Sequence, residues 1–120
     1  MKLDMDLLRA LLLKIEEMPY SGHFMGNIQI PGHTDEEVCY HALQAQDARF
    51  IEAVFSKGTM AFAVKRLTYT GNEFLALARD DTRWASAKEK VVSATGTLTI
   101  EALKTALSAL VQAAMKGPFS

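Results

Sequence analysis

The spacing of apolar residues divides the chain into helical segments at both ends and a strand-rich segment between them. Near the N-terminus apolar residues recur every three or four positions, which predicts a helix over residues 3–18. The stripe consists of Leu3, Leu7, Leu8, Leu11, Leu12, Ile15 and Met18. Pro19 ends this helix. Residues 19–33 hold two of the three prolines and three of the seven glycines, which indicates a loop. Inside it, Asn27–Ile30 alternates polar and apolar residues, which predicts a short strand.

The next helix is predicted to begin at a capping box and to run to about Ala48. The Thr34 side chain can accept from the backbone N–H of Glu37, while the Glu37 side chain can reach back to the Thr34 N–H. A projection at about 100° per residue gives this helix a buried and an outward face. The predicted buried face holds Val38, Cys39, Ala42 and Leu43, and the outward face holds Glu37, Tyr40, His41, Gln44 and Asp47.

A β-hairpin is predicted after this helix. The first strand covers residues 50–55, a two-residue turn lies at Lys57-Gly58, and the second strand covers residues 60–69. Alternation places Ile51, Ala53 and Phe55 on one face of the first strand, and Phe62 and Val64 on one face of the second. The cations Lys57, Lys65 and Arg66 cluster in this hairpin, where Glu52 is the single acidic residue. Helix, hairpin and helix in this order are typical of a winged-helix module.

The C-terminal part is predicted to be helical. A second capping box, Thr70 with Glu73, opens one helix, and Asp80-Asp81-Thr82 separates it from another. That helix carries Trp84, Ala87 and Val91 on one face and ends at residues 93–96. The last helix, residues 99–115, has an apolar seam of Ile100, Leu103, Leu107, Leu110 and Ala114. The seam suits packing on the first helix or pairing with a second chain, and we expect a homodimer through it.

Composition and charge limit the classes of protein to which this chain can belong. The chain has 120 residues, of which 49% are hydrophobic and 22% charged, and this composition fits one soluble domain over 1–120. We expect this domain to consist of a winged-helix-like core over 1–69 and a helical extension over 70–120. The net charge of −1 argues against strong non-specific DNA binding, although a local basic patch remains compatible with it. The single cysteine, Cys39, excludes an intramolecular disulfide. No signal peptide or membrane span is evident, so we expect a cytoplasmic protein.

Several motifs resemble the domain-of-unknown-function family 2513, which comprises small proteins of bacteria and their phages. They are the opening residues 1–9, the acidic capped helix start 34–41, residues 66–75, and residues 79–84 followed by the leucine-rich helix. The resemblance covers essentially the whole chain and implies a winged-helix-like fold and a phage or prophage origin, without implying an activity. One departure is Ala48-Arg49-Phe50, where the family has Ala-Gly-Leu. Arg49 must therefore adopt the left-handed cap that glycine takes easily, or the helix must end differently.

Two functions fit the mainly helical, winged-helix-like α+β fold that we expect, and we expect the first of them, a phage or prophage regulator. A DNA-binding transcriptional regulator would present Tyr40, His41 and Gln44 to bases, and Lys57, Lys65 and Arg66 to phosphates. Against it, residues 34–48 carry four acidic residues and neither lysine nor arginine, so this face would repel phosphate. The alternative is a protein-interaction module on the same scaffold, without DNA binding.

Metal binding, a cofactor and catalysis are not expected. His23, His33, Cys39 and His41 are ligand types, but their spacing matches no tetrahedral zinc motif. Cys39 and His41 would diverge on a helix, and adjacent Asp80 and Asp81 fit a helix break better than a catalytic pair. The sequence thus predicts a binding protein rather than an enzyme.

Overall fold

The chain folds into a mainly helical α+β structure, here a computed structural model that describes residues 1–116. Within them the elements are α1 (Met5–Glu17), α2 (Asp35–Asp47), β1 (Ile51–Phe55), β2 (Phe62–Leu67), α3 (Tyr69–Ala78), α4 (Asp81–Thr95) and α5 (Ile100–Lys116). The strands form one antiparallel sheet. Contacts divide the chain into two compact units, Met1–Leu75 and Ala76–Ser120. The division falls inside α3, after the residue Phe74, which stacks on Phe50 within the first unit.

The first helix is capped by Asp4, whose side chain accepts the backbone N–H groups of Asp6 and Leu7 at 2.9 and 3.2 Å. The helix ends at Glu17, just before Met18 and Pro19, where the backbone turns extended. Its inner side is fully apolar, as the sequence predicts. The buried residues are Met5, Leu7, Leu8, Leu11, Leu12 and Ile15.

The second helix begins as predicted and ends in a strained cap. Both halves of the capping box form, with Thr34 Oγ1 accepting the Glu37 N–H at 3.1 Å and Glu37 Oε1 accepting the Thr34 N–H at 3.0 Å. Arg49 has φ = +66°, and the Phe50 N–H donates to the Ala45 carbonyl at 2.8 Å. Together with the Arg49 N–H, which donates to the Gln46 carbonyl at 2.8 Å, this bond forms a Schellman motif with arginine in the position that glycine prefers. Of the two possibilities left open at Arg49, the structure has the left-handed cap.

The strand predicted at Asn27–Ile30 is wrong. The extended pairing occurs earlier, where Met25 and Val64 exchange two backbone hydrogen bonds of 2.9 Å in an isolated antiparallel bridge. Asn27 has φ = +60°, which a strand does not allow. Ile28 and Ile30 are nevertheless buried. The alternation in sequence therefore reflects a loop that buries two side chains.

The hairpin has the predicted faces but a longer connection. Ala53 lies opposite Val64 and Phe55 opposite Phe62. The turn lies at Lys57-Gly58 as predicted, with Gly58 at φ = +74°, but its predicted length of two residues is wrong. Residues 56–61 connect the strands, and the Ser56 N–H closes the connection on the Ala61 carbonyl. The register shifts between Glu52 and Ala53, so that Lys65 is an extra residue in β2, which is a β-bulge.

The third helix is capped by Thr68, so the predicted capping box of Thr70 with Glu73 is wrong. Thr68 Oγ1 accepts the Gly71 N–H at 3.0 Å, and the same hydroxyl donates to the Arg49 carbonyl. The Thr68 N–H donates to the Phe50 carbonyl at 2.9 Å. Thr68 therefore has two roles: it caps α3, and it hydrogen-bonds the carbonyl groups of Arg49 and Phe50, which follow α2.

The second unit contains α4 and α5, which pack on each other. Asp80 caps α4 by accepting the Arg83 N–H at 2.7 Å, and Gly96 ends it with φ = +78°. Trp84, Ala87 and Val91 are buried, as predicted for one face of this helix. Among residues 1–116, no helix combines the length and apolar character needed to cross a bilayer.

Candidate functional site

The outward face of α2 differs from the predicted one because His41 points inward. His41 is 1% exposed. Its Nε2 accepts the Asp4 N–H at 2.8 Å, and its Nδ1 lies 2.7 Å from the Glu37 carbonyl oxygen. A carbonyl only accepts, so the ring carries its proton on Nδ1. The predicted contact of His41 with DNA is therefore wrong, since both nitrogens are used to join the start of α1 to α2.

The outermost line of α2 consists of Glu36, Tyr40, Leu43 and Asp47, which we call the α2 stripe. Spacings of four, three and four residues place them on one helix face, over roughly 16 Å at about 1.5 Å per residue. Leu43, predicted to be buried, is 42% exposed, and both acids are exposed. Tyr40 is half-buried, with its ring edge-on to His41 at 5.4 Å. The stripe thus has an apolar centre and an acidic residue at each end.

The two glutamines near the end of α2 have different roles. Gln44, predicted to contact a base, is half-buried beside the stripe. The Gln46 side chain accepts the Ala53 N–H at 2.8 Å, which ties α2 to the outer edge of β1. This bond fixes the position of α2 relative to the hairpin.

The predicted phosphate-binding cations lie on the hairpin, and two of them share an acidic partner. Lys57 is exposed in the connection. Arg66 Nε lies 3.0 Å and Lys65 Nζ 4.0 Å from the carboxylate oxygens of Glu52. These pairs are partly exposed and contribute little to stability. The structure therefore brings Lys65 and Arg66 together as predicted, but with their charge partly balanced.

Lys65 and Arg66 also line a groove of about 260 Å³ between β2 and the end of α1, which we call the hairpin groove. Its apolar lining comes from Ile15, Met18 and Leu67, and its polar lining from Glu16, Tyr20, Lys65, Arg66 and Asn72. No residue of α2 lines it, so the predicted base-contacting and phosphate-contacting residues do not meet in this groove.

Two exposed aromatic residues next to this groove were missed by the sequence reasoning. Tyr20 is 69% and Phe24 is 41% exposed, and Lys65 Nζ lies 5.7 Å from the centre of the Phe24 ring. The signal was present in the sequence, as both rings stand in a proline- and glycine-containing loop without a helical or strand pattern.

The predicted dimer seam on α5 is partly covered within the chain. Leu103 and Leu107 are 0% exposed, so these two side chains are unavailable to a second chain. Ile100 and Leu110 are half-buried, and Ala114 is exposed. Only the ends of the seam are accessible in the single chain.

Two titratable side chains of α2, those of Glu37 and Cys39, have shifted pKa values. Hydrogen bonds from the Thr34 backbone and from the His33 side chain lower the pKa of Glu37 below its ordinary value of 4.5. Partial burial raises the pKa of the Cys39 thiol, which keeps it protonated and weakly nucleophilic at neutral pH. In the part of the chain that the structure describes, no three His, Cys, Asp or Glu side chains form a metal-binding group.

Comparison with known proteins agrees with the resemblance seen in the motifs. The model of the family described as "Hypothetical protein (DUF2513)" matches residues 2–97. An "Uncharacterized protein" of Haemophilus influenzae (strain ATCC 51907 / DSM 11121 / KW20 / Rd) is 34% identical over 106 residues, which cover 87% of this chain and 90% of that protein. No solved structure matches the chain.

Proposed function

This chain belongs to the DUF2513 family of hypothetical proteins, and we propose that it is a non-enzymatic protein-interaction module that binds a partner on the α2 stripe. The observation that carries the proposal is the stripe itself. Leu43 stands exposed between Glu36 and Asp47, and residues 34–48 contain no lysine or arginine. An exposed leucine beside a tyrosine gains free energy when a partner removes it from water.

The acidic residues of α2, inside and outside the stripe, oppose insertion of this helix into a DNA groove. Asp35, Glu36, Glu37 and Asp47 would face phosphates without a neutralising cation on the helix. Acidic residues at both ends favour instead a partner with an apolar centre and flanking cations, since complementary charge sets orientation and encounter rate.

A winged-helix-like scaffold is part of the proposal. The bridge of Met25 with Val64 adds a third extended segment beside β2, so the order across the sheet is β1, β2 and Met25. Helix, short extended segment, helix and hairpin follow the winged-helix order. Residues 18–34 contain no α-helix, so α2 lacks the preceding helix of a helix-turn-helix pair. This difference also favours a protein partner over DNA.

The test uses immobilised protein and a nuclease-treated bacterial lysate, with quantitative mass spectrometry of the bound proteins. We expect partners that bind the wild type and are lost with Leu43→Ala, and with Glu36→Lys plus Asp47→Lys. Val92→Ala is the matched control, because Val92 is 48% exposed on another helix. If no bound protein depends on Leu43 or on the two acids, the α2 stripe is not a docking surface.

Duplex DNA binding by a phage or prophage regulator is the second candidate. The exposed Lys57 and the neighbouring Lys65 and Arg66 on the hairpin favour it. Fluorescence anisotropy with random duplex in a salt series would show a steep loss of affinity with salt, and Lys65→Ala plus Arg66→Ala would reduce the slope. Unchanged affinity in that variant would remove these residues from the interface.

A homodimer through the accessible ends of the α5 seam is proposed as well. Sedimentation equilibrium of the wild type and of Leu110→Ser tests it. A wild type that stays monomeric over the accessible concentrations, or a dimer that Leu110→Ser leaves intact, would refute this interface.

A further inference from the structure

Of the two exposed aromatic rings near the hairpin groove, that of Phe24 stands on a segment joined to the sheet. Met25, which follows Phe24, is joined to Val64 by two backbone hydrogen bonds of 2.9 Å. Lys65 lies against the Phe24 ring, and it lines the groove together with Tyr20. Two exposed aromatic rings thus lie near one cation, one against Lys65 and one on the groove that Lys65 lines.

The β-bulge explains why two cations reach the same place. In regular alternation, consecutive residues of β2 would point to opposite faces of the sheet. The register pairs Glu52 with Arg66 and Ala53 with Val64, which leaves Lys65 as the extra residue. A bulge re-aims side chains in this way. Lys65 and Arg66 both line the groove, above the apolar floor of Ile15 and Leu67.

We propose that Tyr20, Phe24, Lys65 and Arg66 form a binding platform for single-stranded nucleic acid. The rings stack on unpaired bases, and the cations contact the phosphates between them. Every base has an aromatic face, so this recognition tolerates any sequence. The proposal is independent of the α2 stripe.

The charge balance of the groove favours a single strand over a duplex. Glu52 pairs with both cations, and Glu16 lies on the same groove, so the local net charge is close to zero. A duplex offers mainly phosphates to this surface, because its base faces are stacked inside. A single strand offers base faces as well, and its phosphates replace the weak, partly exposed pairing with Glu52.

The test compares binding of fluorescein-labelled oligothymidylate and oligouridylate of about 12 nucleotides, within the usual site sizes, with a duplex of equal length. We expect tighter binding of the single strands by anisotropy at low salt. Replacing both rings, Tyr20→Ala plus Phe24→Ala, should weaken binding by roughly tenfold or more. Phe24→Tyr keeps an aromatic face and should retain the affinity.

Val92→Ala is the matched control, because Val92 at 48% is about as exposed as Phe24 at 41% and lies outside both proposed surfaces. It should leave the affinity for oligothymidylate unchanged, and urea unfolding should show that the ring variants remain folded. The affinity should fall only weakly with salt. The slope of log K against the logarithm of the salt concentration should be no steeper than about −1.4, which is about −0.7 for each of two phosphates.

Four results would overturn the platform. They are no binding of single strands at low salt, tighter binding of the duplex, unchanged affinity without the two rings, and equal competition by polyglutamate. The last would show attraction of any polyanion by the cations. Since the α2 stripe is tested with other variants and other ligands, failure of one proposal leaves the other standing.

Discussion

Replacement of Gly71 by alanine should destabilise the first unit, because Gly71 lies against the backbone where α2 leads into the hairpin. A Cβ at Gly71 would lie 2.1 Å from the Phe50 carbonyl oxygen and 2.9 Å from its carbon. The two backbones must therefore separate by about 1 Å, which disturbs the hydrogen bond from the Thr68 N–H to the same oxygen. Overpacking costs about 1–3 kcal/mol and the weakened bond about 1 kcal/mol. The higher helix propensity of alanine offsets up to about 1 kcal/mol of this destabilisation.

The net expectation for Gly71→Ala is a loss of about 2 kcal/mol in the free energy of unfolding, or roughly 5–10 °C in Tm. Urea and thermal unfolding followed by circular dichroism measure it. Thr70→Ala is the matched control, because Thr70 is the exposed neighbour in the same helical turn, and a surface change there costs at most about 0.5 kcal/mol. If Gly71→Ala is as stable as Thr70→Ala, the close approach does not constrain this position.

Four further predictions concern other parts of the fold. His41→Ala should cost about 2–4 kcal/mol, because it removes two buried hydrogen bonds, and nitrogen NMR of the wild type should find the ring proton on Nδ1. Arg49→Gly should stabilise by about 0.5–1 kcal/mol in urea unfolding, since φ = +66° strains arginine. Thr34→Ala should cost about 1 kcal/mol and raise the pKa of Glu37 towards 4.5 in an NMR titration. Leu107→Ala should cost about 2–5 kcal/mol in the second unit, measured by hydrogen exchange of α4 and α5.

The sign of the pH effect at Glu37 follows from its lowered pKa. The cap contribution is fully present above about pH 4.5, the ordinary value, and is lost as the pH falls through the lower pKa of the folded state. Glu37→Ala, which removes the carboxylate, should therefore differ less from the wild type in stability at acidic pH than at neutral pH. Parallel curves would show that the Glu37 carboxylate does not take part in the cap. For the other variants, wild-type stability in His41→Ala or Leu107→Ala, or a loss in Arg49→Gly, would contradict the assigned contacts.

Local signals predicted most of the helices correctly. The cap at Thr34 and the end of α4 at Gly96 depend on side chains and dihedral angles within a few residues, so they are visible in the sequence. At Arg49 the sequence left open whether the helix ends in a left-handed cap, and the contacts of the Schellman motif select it. By contrast, Thr68 replaced Thr70 as the cap of α3, because Thr68 also satisfies the Arg49 and Phe50 carbonyls of a distant segment.

The candidate surfaces were harder to predict, because each depends on a contact between residues far apart in sequence. The outward face of α2 was predicted by a helical projection that took Leu43 as buried. His41 turns inward since the free N–H of Asp4, 37 residues away, supplies a partner that no helical projection contains. The rotation brings Leu43 to the surface and creates the α2 stripe.

From the sequence one can predict the family, the mainly helical α+β class, the caps of α2 and α4, and the apolar faces of α1, α4 and the hairpin, because these follow from motifs, local hydrogen bonding and periodicity. Long-range contacts determine which polar groups are hydrogen-bonded inside the fold and which aromatic groups remain exposed. The bridge of Met25 with Val64 brings the loop that carries Phe24 beside Lys65, and the bulge aims Lys65 and Arg66 together. Such long-range pairings depend on the free energy of the whole fold, and no local pattern in the chain encodes them.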